Sequence, residues 1–321
     1  MWRRGPALSL SELRVERVRL RAATVPAELF QWLALASAAI LYAIVVTGAT
    51  VRLTASGLGC DHWPGCQAGQ PFPEKGYHSY IEFGNRLVGG IAIALTLIAA
   101  LAARRAPGLP RYTRTLARAV FVGTLAQAPL GYLTVRFHLN PYLVMLHFLL
   151  SALVLAGAVV VTLAAVGAVN GTAAPLVPRE LRHAGVVAAV ACLALLVTGT
   201  VVTAAGPHPG DSSKIHRLWR LGSAIYVHAG ATAVLAAALV FVLGYLAARR
   251  KRSPRLFGAA VAVLALLGVQ MAIGETQYRT HLPWWLVLLH VAAGTAVWSG
   301  LVALAATFQR PLAWFEPRRI H

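Results

Sequence analysis

The sequence predicts an all-α integral membrane protein: eight transmembrane helices as two tandem four-helix bundles, related by a parallel pseudo-twofold repeat. Three observations predict it. The 321-residue chain is 58% hydrophobic and only 12% charged, with a mean hydropathy of +0.66, a balance that soluble domains rarely show. Its apolar residues gather into eight runs, each near the ~20 residues needed to cross the hydrocarbon. Its second half also repeats motifs of its first at a constant offset.

The eight runs lie at roughly 30–53, 78–103, 115–135, 141–168, 184–205, 221–248, 256–275 and 282–307. They leave little chain for a soluble domain. The first is long and starts near residue 30, which fits a span better than a cleaved signal peptide. The runs divide the chain into an N-terminal tail (1–29), a first four-helix half (30–168) with a cysteine loop at 55–77, a linker (169–183), a second half (184–307) and a C-terminal tail (308–321).

The formal net charge of +19 does not point to nucleic acid. Most of the Lys and Arg residues sit in the N-terminal tail, 104–118, 179–182, 249–255 and the C-terminal tail. With eight spans, all five segments fall on one side. Basic residues are retained in the cytoplasm, so both termini are expected inside a bacterial plasma membrane, where these clusters meet anionic lipid. Glu12 and Glu16 argue against a transit peptide among the N-terminal arginines.

Two of the three cysteines, Cys60 and Cys66, share the stretch GLGCDHWPGCQAG on the opposite, oxidising side. A bridge there either clamps a Gly/Pro-rich loop or cycles as an electron-passing dithiol. Cys192 stands alone in a helix as a small apolar residue.

The repeat is explicit. VRFHLNPYLVMLH (135–147) matches YRTHLPWWLVLLH (278–290) at an offset of 143, which also aligns Gln127 with Gln270 and Gly131 with Gly274. VTGATV (46–51) matches VTGTVV (197–202) at an offset of 151, so the first loop is eight residues longer. Each half has an even number of spans, so both enter the membrane the same way round. Sites in four-helix bundles are built from side chains on facing helices.

Under the 143 offset, Asn85 aligns with His228 and His147 with His290. Polar groups about two turns inside a membrane are costly and point to function. The pair His228 and His290 suits the two axial positions of a haem, with small residues such as Gly222, Ala224, Gly230 and Gly294 lining the space. Two histidines bonded to helix carbonyls are the plainer alternative. Copper or zinc fits less well, because no third nitrogen or sulfur ligand accompanies them. Arg136, His138, Arg279 and His281 fall at the mouth of each third-to-fourth turn, where they either hold propionates or snorkel to the interface. In YIEFGNRLVGG (80–90), Glu82 stands four residues before Arg86. It is either an i, i+4 ion pair or a proton-transfer group beside a bound porphyrin. Ile225 stands at its place in the second half, so the carboxylate belongs to one half only.

These stretches — TGATVRLTASGLGC with WPGC (47–66), IEFGNRL (81–87), PYLVMLH (141–147), VHAG (227–230) and LPWWLVLLH (282–290) — resemble the haem A synthase family, the CtaA-type membrane enzymes. The resemblance covers nearly the whole chain. It implies oxidation of a ring methyl of haem O to a formyl group, giving haem A for terminal oxidases. It implies a haem b whose iron is held by His228 and His290, and substrate haem O whose iron is held by His147, with Asn85, Arg86 and Arg136 beside it. Glu82 is the implied catalytic residue, and Cys60 and Cys66 the implied disulfide pair. Partners follow: the haem O synthase that supplies the substrate, an electron donor of unknown identity, and membrane lipid. Gly-rich surfaces such as GNRLVGG suit packing within the chain or in an oligomer. Many family members carry His where this chain has Asn85, so here His147 is expected to hold the substrate iron alone, with the opposite face open or weakly covered. His78, two turns closer to the surface, is too high to substitute. The competing assignments are a b-type electron carrier that modifies no haem, and a transporter or haem-handling scaffold. The one-sided Glu82 and the long cysteine loop argue against the carrier. The absence of an interrupted helix pair argues against the transporter.

Overall fold

The computed structural model describes residues 24–63, 65–70, 72, 73, 76–211, 218–251 and 253–316. The basic N-terminal residues up to 23, Lys75, Lys214, Arg217, Arg252 and the end of the C-terminal tail lie outside them. Among the described residues, eight long helices make up the fold: α1 (Ala27–Leu53), α2 (Tyr77–Arg105), α3 (Arg111–Arg136), α4 (Pro141–Asn170), α5 (Arg179–Ala205), α6 (Leu221–Ala248), α7 (Pro254–Arg279) and α8 (Trp284–Gln309). A single 3₁₀ turn, Ala313–Phe315, follows. A helix stands at each of the eight expected runs, extended by a turn or less at most ends.

Proline marks most of the helix starts. Pro26, Pro110, Pro178 and Pro283 directly precede α1, α3, α5 and α8. Pro141 and Pro254 occupy the first turns of α4 and α7, where a missing N–H costs nothing. Asn140 caps α4, its Oδ1 accepting from the Tyr142 N–H at 3.0 Å.

Among the described residues, seven helices are long and apolar enough to cross a membrane. α3 falls short because Gln127, Pro129 and its terminal arginines dilute its apolar surface. It nonetheless packs between α2 and α4 in the same bundle. α3 starts after a five-residue turn from α2, and α4 starts at the opposite end of the bundle.

Within each half the helices pack in a closed ring, α1–α2–α3–α4 and α5–α6–α7–α8, and the halves meet through α1 and α4 against α5 and α8. Cross-half hydrogen bonds join them. Tyr42 donates to the Ala292 carbonyl (2.9 Å), Trp298 Nε1 to the Ala152 carbonyl (2.8 Å) and Arg52 Nη2 to the Thr203 carbonyl (2.6 Å).

The dry core fills the end of each half away from the cysteine loop. Phe30, Leu41, Val120, Leu155 and Val161 pack the first half, and Leu235, Leu239, Leu256, Leu267, Leu301 and Phe308 the second. The polar positions lie beyond this core, toward the loops.

Both third-to-fourth turns adopt one unusual geometry. His138 and Leu139 have φ of 50° and 56°, and His281 and Leu282 have 62° and 60°. In each, the second residue closes the preceding helix: Leu139 N–H reaches the Thr134 carbonyl at 2.8 Å, and Leu282 N–H the Gln277 carbonyl at 2.7 Å. Left-handed backbone is costly for Leu, and tertiary packing sustains it at Leu139. That side chain is buried against Gly57 and Gly210, where a Cβ would stand 2.9 Å and 3.0 Å from its Cδ1. The two glycines also meet directly, Gly57 N–H donating to the Gly210 carbonyl at 2.7 Å.

Candidate functional site

In the second half, His228 of α6 faces His290 of α8, with ring centroids 6.3 Å apart and planes at 68°. A metal-bound imidazole nitrogen lies about 2 Å from the metal, so two rings on opposite sides of one iron stand roughly 6 Å apart between centroids. The spacing therefore fits an iron held by both. The Thr198 hydroxyl donates to the Leu195 carbonyl (2.8 Å) and lies 3.0 Å from His228 Nδ1. Having spent its one proton, it accepts from Nδ1–H, which leaves Nε2 with a free lone pair, the tautomer that ligates metal. His290 is fixed through its own helix, since Gln270 Nε2 donates to its carbonyl at 2.9 Å. Nδ1 of His290 is buried without a hydrogen-bond partner, as is Nδ1 of His147.

The first half repeats this layout. Gln127 Nε2 donates to the His147 carbonyl at 3.2 Å and to Ser151 Oγ at 2.7 Å. Thr47 donates to Asn85 Oδ1 at 2.7 Å, as Thr198 meets His228. Each of the four side chains lies over a glycine of the preceding helix. A Cβ would stand 2.9 Å from His290 at Gly274, 3.1 Å from His228 at Gly199, 3.5 Å from His147 at Gly131 and 3.9 Å from Asn85 at Gly48. At Gly274 and Gly199 the missing Cβ lets the two imidazoles approach the helix more closely than an alanine would allow. Gly222 and Gly230 border open space, whereas Ala224 is buried.

Glu82 answers the question its position raises. Oε1 pairs with Arg86 Nη2 at 2.6 Å, and Oε2 accepts from the Cys60 N–H at 2.8 Å. The Glu82 side chain is 6% exposed. Arg86 Nη1 donates to the carbonyls of His62 (2.7 Å) and Gly65 (2.5 Å). These contacts turn Arg86 toward the cysteine loop and Glu82 rather than outward to a ligand. Cys60 and Cys66 are joined by a disulfide, both sulfurs buried. Ser79 Oγ donates to the Gly59 carbonyl at 2.6 Å, and His78 Nδ1 lies 2.9 Å from the Ser56 hydroxyl, so His78 serves the loop. Trp63, at the far side of the loop, contacts Tyr132 of α3 (5.8 Å between centroids). The loop thus bridges the mouth between α2 and α3.

Arg136 and His138 are exposed at the end of α3, as are Arg279 and His281 at the end of α7. Arg279 pairs with Glu275 at 2.5 Å. Tyr132 stands at the equivalent of Glu275, so Arg136 has no carboxylate one turn before it.

Sequence reasoning did not single out Thr47, Thr198, Gly48 or Gly199. Their signal was present, since the VTGATV and VTGTVV repeats contain all four; it lacked only the knowledge of what they face.

The sequence matches the family described as Cytochrome oxidase assembly protein (COX15-CtaA) over residues 31–78 and 71–207. Relatives include Heme A synthase of Bacillus pumilus, 34% identical over 39% of this chain and 41% of the relative. Heme A synthase of Geobacillus thermodenitrificans is 32% identical over 41% of this chain and 42% of the relative. Heme A synthase of Alkalihalophilus pseudofirmus is 30% identical over 50% of this chain and 54% of the relative. The aligned stretches thus span about half or less of each relative's length. The family match ends before α6, so the pairing of His228 with His290 rests on the internal repeat and on geometry. Because that match extends over more than half of the 321 residues, taking in the cysteine loop, Glu82 and His147, the chain belongs to the COX15-CtaA family of cytochrome oxidase assembly proteins.

Proposed function

We propose that this protein is a haem A synthase of the bacterial plasma membrane. It oxidises a ring methyl of haem O to a formyl group, by successive hydroxylations with loss of water. The observation that carries this is the asymmetry between matched sites. Facing imidazoles, His228 and His290, occupy one half, while the other has His147, Asn85 and the buried carboxylate of Glu82. A haem b held by His228 and His290 supplies one-electron redox chemistry.

The chain's own residues take distinct parts. Thr198 holds His228 in its ligating tautomer, and Gln270 anchors His290. His147 binds the iron of substrate haem O. Arg136, exposed and with Tyr132 rather than a carboxylate one turn before it, suits a propionate. Glu82 takes or gives a proton next to the porphyrin, with Arg86 holding it and the loop together. The disulfide holds a loop that covers the first-half mouth and keeps water from it. The basic segments support cytoplasmic termini, with the haem sites toward the opposite face. A haem O synthase supplies the substrate, and each hydroxylation requires an oxidant of the dioxygen class together with two electrons and two protons, the electrons from a separate donor, the second oxygen atom leaving as water.

The test is pigment extraction after co-expression with a haem O source. A synthase yields formyl haem. Haem b alone would instead identify a b-type electron carrier, the alternative that leaves Glu82 and the long loop without a task.

A further inference from the structure

At one matched position the two halves carry different polar side chains, and the hydrogen bonding gives that difference a chemical sense. Thr47 and Thr198 are equivalent at the 151 offset, and Asn85 and His228 at the 143 offset. Thr198 accepts from its histidine, because its own proton goes to the Leu195 carbonyl at 2.8 Å. Thr47 lies 3.3 Å from the corresponding carbonyl of Ile44 and only 2.7 Å from Asn85 Oδ1, to which it donates. The amide oxygen of Asn85 is thereby engaged. What remains is Nδ2, with two N–H donors and no lone pair. Such a group does not ligate iron. It donates a hydrogen bond to something already bound there.

The partner position is intact. His147 is the equivalent of His290, lies over Gly131 as His290 lies over Gly274, and carries a buried Nδ1 with no partner. One half therefore offers iron two imidazoles, and the other offers, at the two equivalent positions, an imidazole and a hydrogen-bond donor. Resting on the synthase reading above, we propose that Thr47 orients Asn85 as a distal hydrogen-bond donor over an open coordination position. The haem held by His147 is five-coordinate and accepts a small exogenous ligand, which Asn85 Nδ2–H stabilises. Asn85 is thus a binding residue for that ligand, and Thr47 its positioning residue.

The test uses purified full-length protein expressed with a haem O supply, reduced with dithionite and exposed to carbon monoxide. One of the two haems is expected to bind carbon monoxide while the other keeps its bis-imidazole spectrum, which also verifies folding in every variant. Asn85→His should abolish carbon monoxide binding and turn the second haem six-coordinate. Asn85→Leu should retain binding and raise the C–O stretching frequency, because the donor is lost. Thr47→Val should shift that frequency part-way in the same direction. Two haems present with neither binding carbon monoxide would overturn the inference and leave the synthase reading standing. So would an Asn85→Leu variant whose C–O stretch does not move. Wild-type protein that yields only one haem per chain would instead defeat the two-site reading, and this inference with it.

Discussion

The backbone N–H of Cys60 donates to Glu82 Oε2 at 2.8 Å. A carboxylate on a membrane helix and a disulfide loop are therefore a single unit, closed by Arg86, which bonds both. The ion pair and the loop contacts explain how two charged groups persist in an apolar helix. Each has its opposite charge and its hydrogen bonds, so neither faces hydrocarbon unpaired. The proposed proton-transfer role of Glu82 adds to this structural one.

Glu82→Ala is expected to abolish formyl haem while leaving the haem between His228 and His290 bound, as read by pigment extraction and the reduced spectrum. It should also free the loop, detected as faster proteolysis within residues 60–70. Glu82→Gln keeps an acceptor for the Cys60 N–H and should protect the loop better than Ala. Full activity in Glu82→Ala would reduce the residue to its ion pair.

His228→Ala and His290→Ala should each strip the second-half haem. Thr198→Val should weaken haem retention by about 10- to 100-fold, the usual effect of losing a hydrogen bond that orients a metal ligand. Haem titration of the apoprotein measures this. Unchanged affinity in Thr198→Val would show that the tautomer is set by another group.

The glycines beneath the four side chains predict a graded series. Gly274→Ala places a Cβ 2.9 Å from His290 Cε1 and should cost the most haem affinity, followed by Gly199→Ala at 3.1 Å. Gly131→Ala, at 3.5 Å, and Gly48→Ala, at 3.9 Å, make ordinary contacts and should be tolerated. Alanine favours helix over glycine by about 1 kcal/mol, so reduced haem binding in the first two should come without loss of thermal stability in the apoprotein. A series with no such order would contradict the packing described.

Cys60→Ser with Cys66→Ser opens a short loop. A closed loop of this length stabilises by about 2 kcal/mol through the unfolded chain. Faster cleavage of the loop is expected in limited proteolysis, with the second-half haem retained because its ligands lie on α6 and α8. If the loop only shields the first-half mouth, formyl haem should fall but not vanish. Complete loss in a folded protein would favour a cycling dithiol.

Much of this molecule was legible in one dimension. Eight apolar runs specify eight helices because hydrocarbon leaves the backbone no other way to satisfy its hydrogen bonds within a segment. The constant offsets exposed the duplication, and with it the alignment of Asn85 with His228 and of His147 with His290. What a line of residues cannot convey is direction across space. The sequence left Glu82 equally suited to an ion pair or to a cavity; the fold turned it to Arg86 and Cys60, since the loop folds back over the first turns of α2. Arg86 looked available to a ligand until the loop carbonyls of His62 and Gly65 occupied its guanidinium. Thr47 and Thr198 were visible only as letters in a repeat, because a hydroxyl's partner lies on another helix. Composition and period determined how many helices cross and which are copies. Packing decided which way each polar group faces, because a side chain's hydrogen bonds are made with whatever tertiary contact brings within three ångströms.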